Sequence, residues 1–202
     1  MTDLIKLDRA RKQDSRFIAQ MIALASDGIA SIEWQQQAAS EPGRSALDVG
    51  AETYASEDGD YSYRNSWIAR DANEQALGMI LSFALTEKNR SIDASPPPYR
   101  DDDIFAPYRY LEAVNSWYIC GVAVLPEYRQ QGIARALIQQ SISDGEQAGL
   151  ENTSLIAMAE KSGLIAYYQS LGFHITRRAP IVEHPQIDAR GEALLMETRP
   201  AT

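Results

Sequence analysis

Apolar positions recur along this chain with two periods, and each change of period marks an element. Leu4-Ile5-Lys6-Leu7 reads as a short opening strand. Phe17, Ile18, Met21, Ile22 and Ala25 then repeat at helical spacing, with Asp14 placed to cap that helix. Residues 28–37 hold a second short helical stretch, whereas 38–60 are polar and acidic and define no element. Residues 61–69 and 76–84 predict two antiparallel strands joined by the turn Arg70-Asp71-Ala72-Asn73-Glu74. Tyr63 and Trp67 fall on one face of the first of these, which reads as strand packing. Residues 87–110 carry Pro96-Pro97-Pro98 and Asp101-Asp102-Asp103 and read as an irregular insertion. An insertion of that length in a compact domain is functional or disordered. A β-rich run at 117–124 leads into a helical run through Ile138, and a short strand follows at 153–157. A helix ending at Gly172 precedes two last strands, at 173–176 and 193–197.

Length and charge narrow what such a chain can be. Its 202 residues fit one domain, 1–202, with a substantial core. No segment approaches the roughly 18 apolar residues that a membrane helix needs. Met1-Thr2-Asp3-Leu4-Ile5-Lys6-Leu7-Asp8 lacks the apolar stretch of a secretory leader, so the cytoplasm is the expected compartment. Cys120 is the one cysteine and lies in an apolar run, which reads as a buried, inert thiol. His174 and His184 have no metal-ligand spacing with each other or with Cys120, so no metal is expected. A net charge of −9 argues against a nucleic-acid partner, which needs a basic face.

The chemistry concentrates between the run at 117–124 and the helix after it. Arg129-Gln130-Gln131-Gly132-Ile133-Ala134 connects the two. A strand that turns through glycine into a helix gathers free backbone N–H groups at the positive end of the helix dipole, a geometry that binds phosphate. The chain has neither Gly-x-x-x-x-Gly-Lys-Ser/Thr nor Gly-x-Gly-x-x-Gly, the two commonest nucleotide loops. Arg129 and Arg135 concentrate positive charge at the turn against the single acid Glu127.

Arg-x-x-Gly-x-Ala in this context resembles the pyrophosphate-binding signature of the GNAT superfamily of N-acetyltransferases. A second segment, Tyr167-Tyr168-Gln169-Ser170-Leu171-Gly172-Phe173, is similar to the superfamily's late Leu-Tyr-x-x-x-Gly-Phe element. The resemblance is close over 117–173 and looser elsewhere. At the opening, Ala10 follows Arg9 directly, where the family's alanine stands two residues after its arginine. Where the family often has asparagine, five or seven residues before the tyrosine, this chain has Gly163 and Lys161.

The resemblance implies an α/β (α+β) chain of the acyl-CoA N-acyltransferase fold: a mixed, mostly antiparallel sheet of about seven strands with helices on both faces. It implies acetyl transfer from acetyl-CoA to a primary amine of a small molecule or peptide, with no metal. Gln130, Gln131, Gly132, Ala134 and Arg135, with Arg129, would cradle the pyrophosphate. Val122, Ala123 and Val124 would pair with the pantetheine amides as an added strand does. Ser162 or Lys161 would stand in for the asparagine contact. Tyr168 occupies the general-acid position, and Glu112, just upstream of the central strand, is the candidate base. Their plain alternatives are a tyrosine packed between helix and sheet and a solvated loop glutamate. Tyr63-Arg64-Asn65 and residues 29–34 are candidate walls of the acceptor pocket. The acidic surface favours a cationic acceptor, and the family often forms homodimers. The competing reading is a non-catalytic acyl-CoA-binding or interaction module on the same fold, which the lost asparagine favours and retained Tyr168 and Glu112 oppose.

Overall fold

The computed structural model describes residues 5–91, 93–187 and 189–198. Their strands are β1 (Lys6–Arg9), β2 (Ser66–Arg70), β3 (Ala76–Leu85), β4 (Ser116–Val124), β5 (Thr153–Met158), β6 (Phe173–Pro180) and β7 (Glu192–Thr198). The helices are α1 (Ser15–Ala25), α2 (Ile29–Ala38), α3 (Ala46–Tyr54), α4 (Ala106–Tyr110), α5 (Ile133–Gln147) and α6 (Ser162–Ser170). The strands form one mostly antiparallel sheet in the order β1-β2-β3-β4-β5-β7-β6, flanked by helices, with β4 and β5 parallel. The opening strand lies slightly later than its apolar run suggests, and Leu4 falls outside the described residues.

The chain divides into two compact units, residues 1–82 with 120–141 and residues 83–119 with 142–202. In the first, β1, β2 and β3 form an antiparallel meander, with a bulge at Ala69/Arg70. The core of this unit gathers Ile18, Met21 and Ile22 of α1 with Trp34, Val49, Ile68 and Met79. Gly121 lets α1 sit close to β4, since a Cβ there would stand 2.6 Å from Cδ1 of Ile22.

Three expectations change in this unit. Asp14 precedes α1 but makes no side-chain cap to it. Its carboxylate instead accepts from the Arg11 N–H at 2.7 Å and from Nη2 of Arg70 at 2.8 Å with each oxygen. Asp14 and Arg70 are both buried, and a buried guanidinium requires such a counter-charge. Likewise the strand expected over 61–69 begins only at Ser66, so Tyr63 lies on a 3-10 turn and not on a strand face. Ser62 Oγ accepts from the Arg64 N–H at 3.2 Å, and the Asn65 amide donates to the Gly59 and Asp60 carbonyls at 3.0 Å. Local side-chain bonds of this kind displace the sheet ladder. The stretch left without an element contains α3, which opens on a reciprocal capping box: Asp48 N–H donates to Ser45 Oγ and Ser45 N–H donates to the Asp48 carboxylate.

In the second unit, β4 and β5 pair from Trp117↔Thr153 to Ile119↔Leu155. β7 lies between β5 and β6, antiparallel to both. Buried Ser116 and Ser154 bring their hydroxyls within 2.6 Å across the parallel pair. The insertion is pinned rather than loose, and it contains α4. Thr86 donates its N–H and hydroxyl to Asn89 Oδ1, at 2.7 and 2.8 Å, closing a tight turn. Arg109 donates Nε to the Asp93 carbonyl at 3.0 Å and pairs with Asp103. Arg177 of β6 donates to the Tyr110 carbonyl at 2.7 Å and lies over the Tyr110 ring.

Candidate active site

The turn after β4 is built from backbone. A 3-10 turn, Pro126–Tyr128, follows β4, and Arg129 donates Nε to the Val124 carbonyl at 3.2 Å. Gln130 and Gly132 then adopt left-handed φ values of 62° and 83°, and α5 starts at Ile133. Nothing lies within 4 Å of a Cβ built on Gly132, so its glycine answers to backbone conformation and to an open approach. Arg129 and Gln130 form a turn that closes on Gln131, and among the described residues the N–H groups of Gly132, Ile133, Ala134 and Arg135 have no acceptor; the next one, Ala136, is bonded to the Gly132 carbonyl at 3.0 Å. Gln130, Gln131, Gly132 and Arg135 are exposed, and Arg135 has no acidic partner among the described residues. This array of donors at a helix start is an anion cradle.

Upstream, Val122 is half-buried, and Ala123 and Val124 are buried. Cys120 is half-buried rather than buried, packed against the apolar core, and desolvation, with Asp60 adding, pushes its thiol up to about 12. Such a thiol has almost no thiolate near neutrality and is no nucleophile.

Tyr168, Glu112 and Ser162 belong to the second unit. Tyr168 is buried on α6, its ring edge-on to Phe173 at 6.0 Å and tilted against Tyr167 at 5.9 Å. Burial, with Tyr167 adding, pushes its phenol up to about 12. Gly172 ends the helix with φ 94°, which turns the chain into β6 and sets Phe173 against Tyr168. Ser162 stands exposed at the first position of α6, and Lys161 is the N-cap residue. Glu112 follows α4 and is half-buried, and its carboxylate is already engaged. Ser91 donates its N–H to Oε2 and its hydroxyl to Oε1, both at 2.7 Å.

Sequence reasoning missed Ser91 and a cavity of about 360 Å³ in the same unit. Pro98, Tyr99 and Asp101 of the insertion form part of its wall, and the run from Pro180 to Glu183 at the end of β6 forms the rest. The Tyr99 hydroxyl is buried without a hydrogen-bond partner, and burial raises its phenol above the ordinary value. The proline and acid clusters of the insertion were visible, but nothing in their order showed that β6 would meet them. Among the described residues, no group of His, Cys, Asp and Glu could hold a metal ion, and no helix is long and apolar enough to cross a membrane.

A model of the acetyltransferase (GNAT) family matches residues 30–173. The ribosomal protein bS18-alanine N-acetyltransferase of Escherichia coli strain K12 is 37% identical over 76 residues, 37% of this chain and 50% of that protein. The chain thus spans about half the length of the curated relatives it matches. A crystal structure of an acetyltransferase is similar with a TM-score of 0.66 at 17% identity, covering 97% of this chain and 100% of the other. The ribosomal-protein-S18-alanine N-acetyltransferase from Escherichia coli gives a TM-score of 0.56 at 17% identity over 98% of this chain and 96% of that one. Naa20 from Chaetomium thermophilum, solved with a bisubstrate analogue, gives 0.56 at 19% identity over 96% and 85%. At such identities the structural likeness establishes the fold.

Proposed function

Since the chain belongs to the acetyltransferase (GNAT) family, we propose that it transfers an acetyl group from acetyl-CoA to the primary amine of a small molecule or peptide. Residues 1–202 act in this reading as one acetyltransferase domain, working in the cytoplasm without a metal and able to pair as a homodimer. The observation that carries it is the run of unsatisfied N–H groups from Gly132 to Arg135, which suits a pyrophosphate.

Acetyl-CoA supplies an activated thioester carbonyl and a thiolate leaving group. The chain's own residues would do the rest. Arg129, Gln130, Gln131, Gly132, Ala134 and Arg135 hold the phosphates, and Val122, Ala123 and Val124 offer backbone groups to the pantetheine amides. The Val122 N–H is a donor for the carbonyl oxygen. Ser162 takes the place of the family's asparagine. Glu112 takes a proton from the incoming ammonium, directly or through water. Its two bonds to Ser91 leave lone pairs free, because a carboxylate has about four acceptor sites.

Tyr168 serves the departing sulfur. With its phenol pushed up to about 12, it stays protonated throughout the physiological range. A thiol has a reference value near 8.5, so full proton transfer from Tyr168 to the thiolate runs uphill. Tyr168 therefore acts as a hydrogen-bond donor to developing charge and keeps its proton.

The cavity beside the insertion suits the acceptor. Asp101, Tyr99 and Glu183 are among its lining residues, and although Glu183 pairs with Arg190 at 3.7 Å, acids beside an aromatic ring favour an ammonium with an apolar neighbour. Calorimetric titration with acetyl-CoA, with free coenzyme A for comparison, tests the cradle. A thiol-release screen with a peptide that begins with alanine and with spermidine tests the transfer. Absence of binding to either coenzyme form would overturn the enzyme reading. Binding without thiol release for any amine would favour the non-catalytic module.

A further inference from the structure

Glu112 is held by a part of the chain that has no place in the chemistry so far. Both of its carboxylate oxygens accept bonds from one residue, Ser91, through the main-chain N–H and the hydroxyl at 2.7 Å each. Ser91 is itself fixed. It follows the turn closed by Asn89, which accepts from Thr86 twice and donates to the Ala84 carbonyl at 2.9 Å, while the Arg90 N–H bonds Thr86 O at 3.0 Å. On the other side, Glu112 follows α4. There Arg109 ties the helix to Asp93 and Asp103, and Arg177 of β6 holds the Tyr110 carbonyl. The two partners of the clamp are thus anchored independently.

We propose that Ser91 is a positioning residue for the base, so that the insertion after β3 belongs to the catalytic apparatus. The proposal rests on Glu112 as the base. A free glutamate side chain samples several rotamers and loses that freedom on ordering. Ser91 fixes one orientation before substrate arrives, which leaves the unused lone pairs in a constant direction, and alignment of that kind lowers the barrier to proton transfer. Replacing Ser91 by alanine removes the hydroxyl bond and keeps the main-chain one, so partial loss is expected.

The test pairs Ser91→Ala and Ser91→Thr with Glu112→Gln. Carboxyl NMR on glutamate-labelled protein follows Glu112, assigned by the resonance lost in Glu112→Gln, and needs no acceptor. Kinetics use the amine of the screen that turns over fastest. Ser91→Ala should move and broaden the Glu112 resonance and lower kcat about tenfold at unchanged KM. Ser91→Thr should preserve both. In the Glu112→Gln background, Ser91→Ala should cost nothing further, since the two act as one unit. An unmoved resonance in Ser91→Ala, or an equal loss of kcat in the Glu112→Gln background, overturns the proposal. Glu112→Gln with wild-type kcat overturns the base assignment itself, and this proposal with it. Ser91→Cys replaces Ser91→Ala if the latter's melting temperature shows misfolding.

Discussion

Tyr168 shows how burial sets the character of one residue. Its raised phenol makes it a steady donor and a poor proton source at the same time. Tyr168→Phe removes only the hydroxyl, so kcat should fall by roughly ten- to a hundredfold while acetyl-CoA binding stays intact. The pH dependence sharpens the point. The phenol is protonated below about 12, so no loss of activity between neutrality and pH 10 comes from Tyr168. The pH–rate profile of Tyr168→Phe should therefore keep the wild-type shape at reduced height. A basic limb that vanishes in Tyr168→Phe would show that the phenol ionises within the working range.

At the scale of elements, the turn into α5 puts two demands on Gly132: a left-handed φ of 83° and an unobstructed approach. Gly132→Ala strains the backbone by about 1 kcal/mol and puts a methyl group into the open approach to the turn. Acetyl-CoA affinity should fall at least tenfold while the melting temperature falls by only a few degrees; calorimetry and thermal melts on the same sample check both. The turn itself was legible because its demands are local: a strand, a glycine and a helix in succession. The segment ending in Gly172-Phe173 was legible for the same reason. Where the readings failed, a non-local or side-chain bond had won. Asp14 looks like a cap, but Arg70, 56 positions later, takes its carboxylate. Tyr63 looks like a strand residue, but Ser62 and Asn65 bend the chain first. The clamp of Ser91 on Glu112 spans 21 positions and follows no spacing rule. The stretch around α3 is a different case, because Ser45 and Asp48 form a capping box whose spacing was present in the sequence and was passed over amid polar residues.

The whole molecule carries a net charge of −9, yet its proposed cofactor is a polyanion. The two influences act at different ranges. Repulsion from the net charge reaches far at low salt, where the Debye length is about 30 Å near 0.01 M, and fades to about 8 Å near 0.15 M. Attraction from Arg129, Arg135 and the start of α5 is short-ranged and survives screening better. The association rate of coenzyme A, followed by stopped flow, should therefore rise between those two salt concentrations. A rate that falls would mean that the arginines govern encounter as well as binding.

Cys120 gives the chain a clock of its own. It is the sole cysteine, it sits on β4, and its thiol is pushed up to about 12 by its surroundings. The residue is half-buried and its thiol carries almost no thiolate near neutrality, so the labelling rate reports how often β4 lets the sulfur ionise and meet a reagent, without any engineered probe. Labelling timed with and without coenzyme A would read how far ligand at the neighbouring turn lengthens the interval between excursions, as binding to the closed state alone requires.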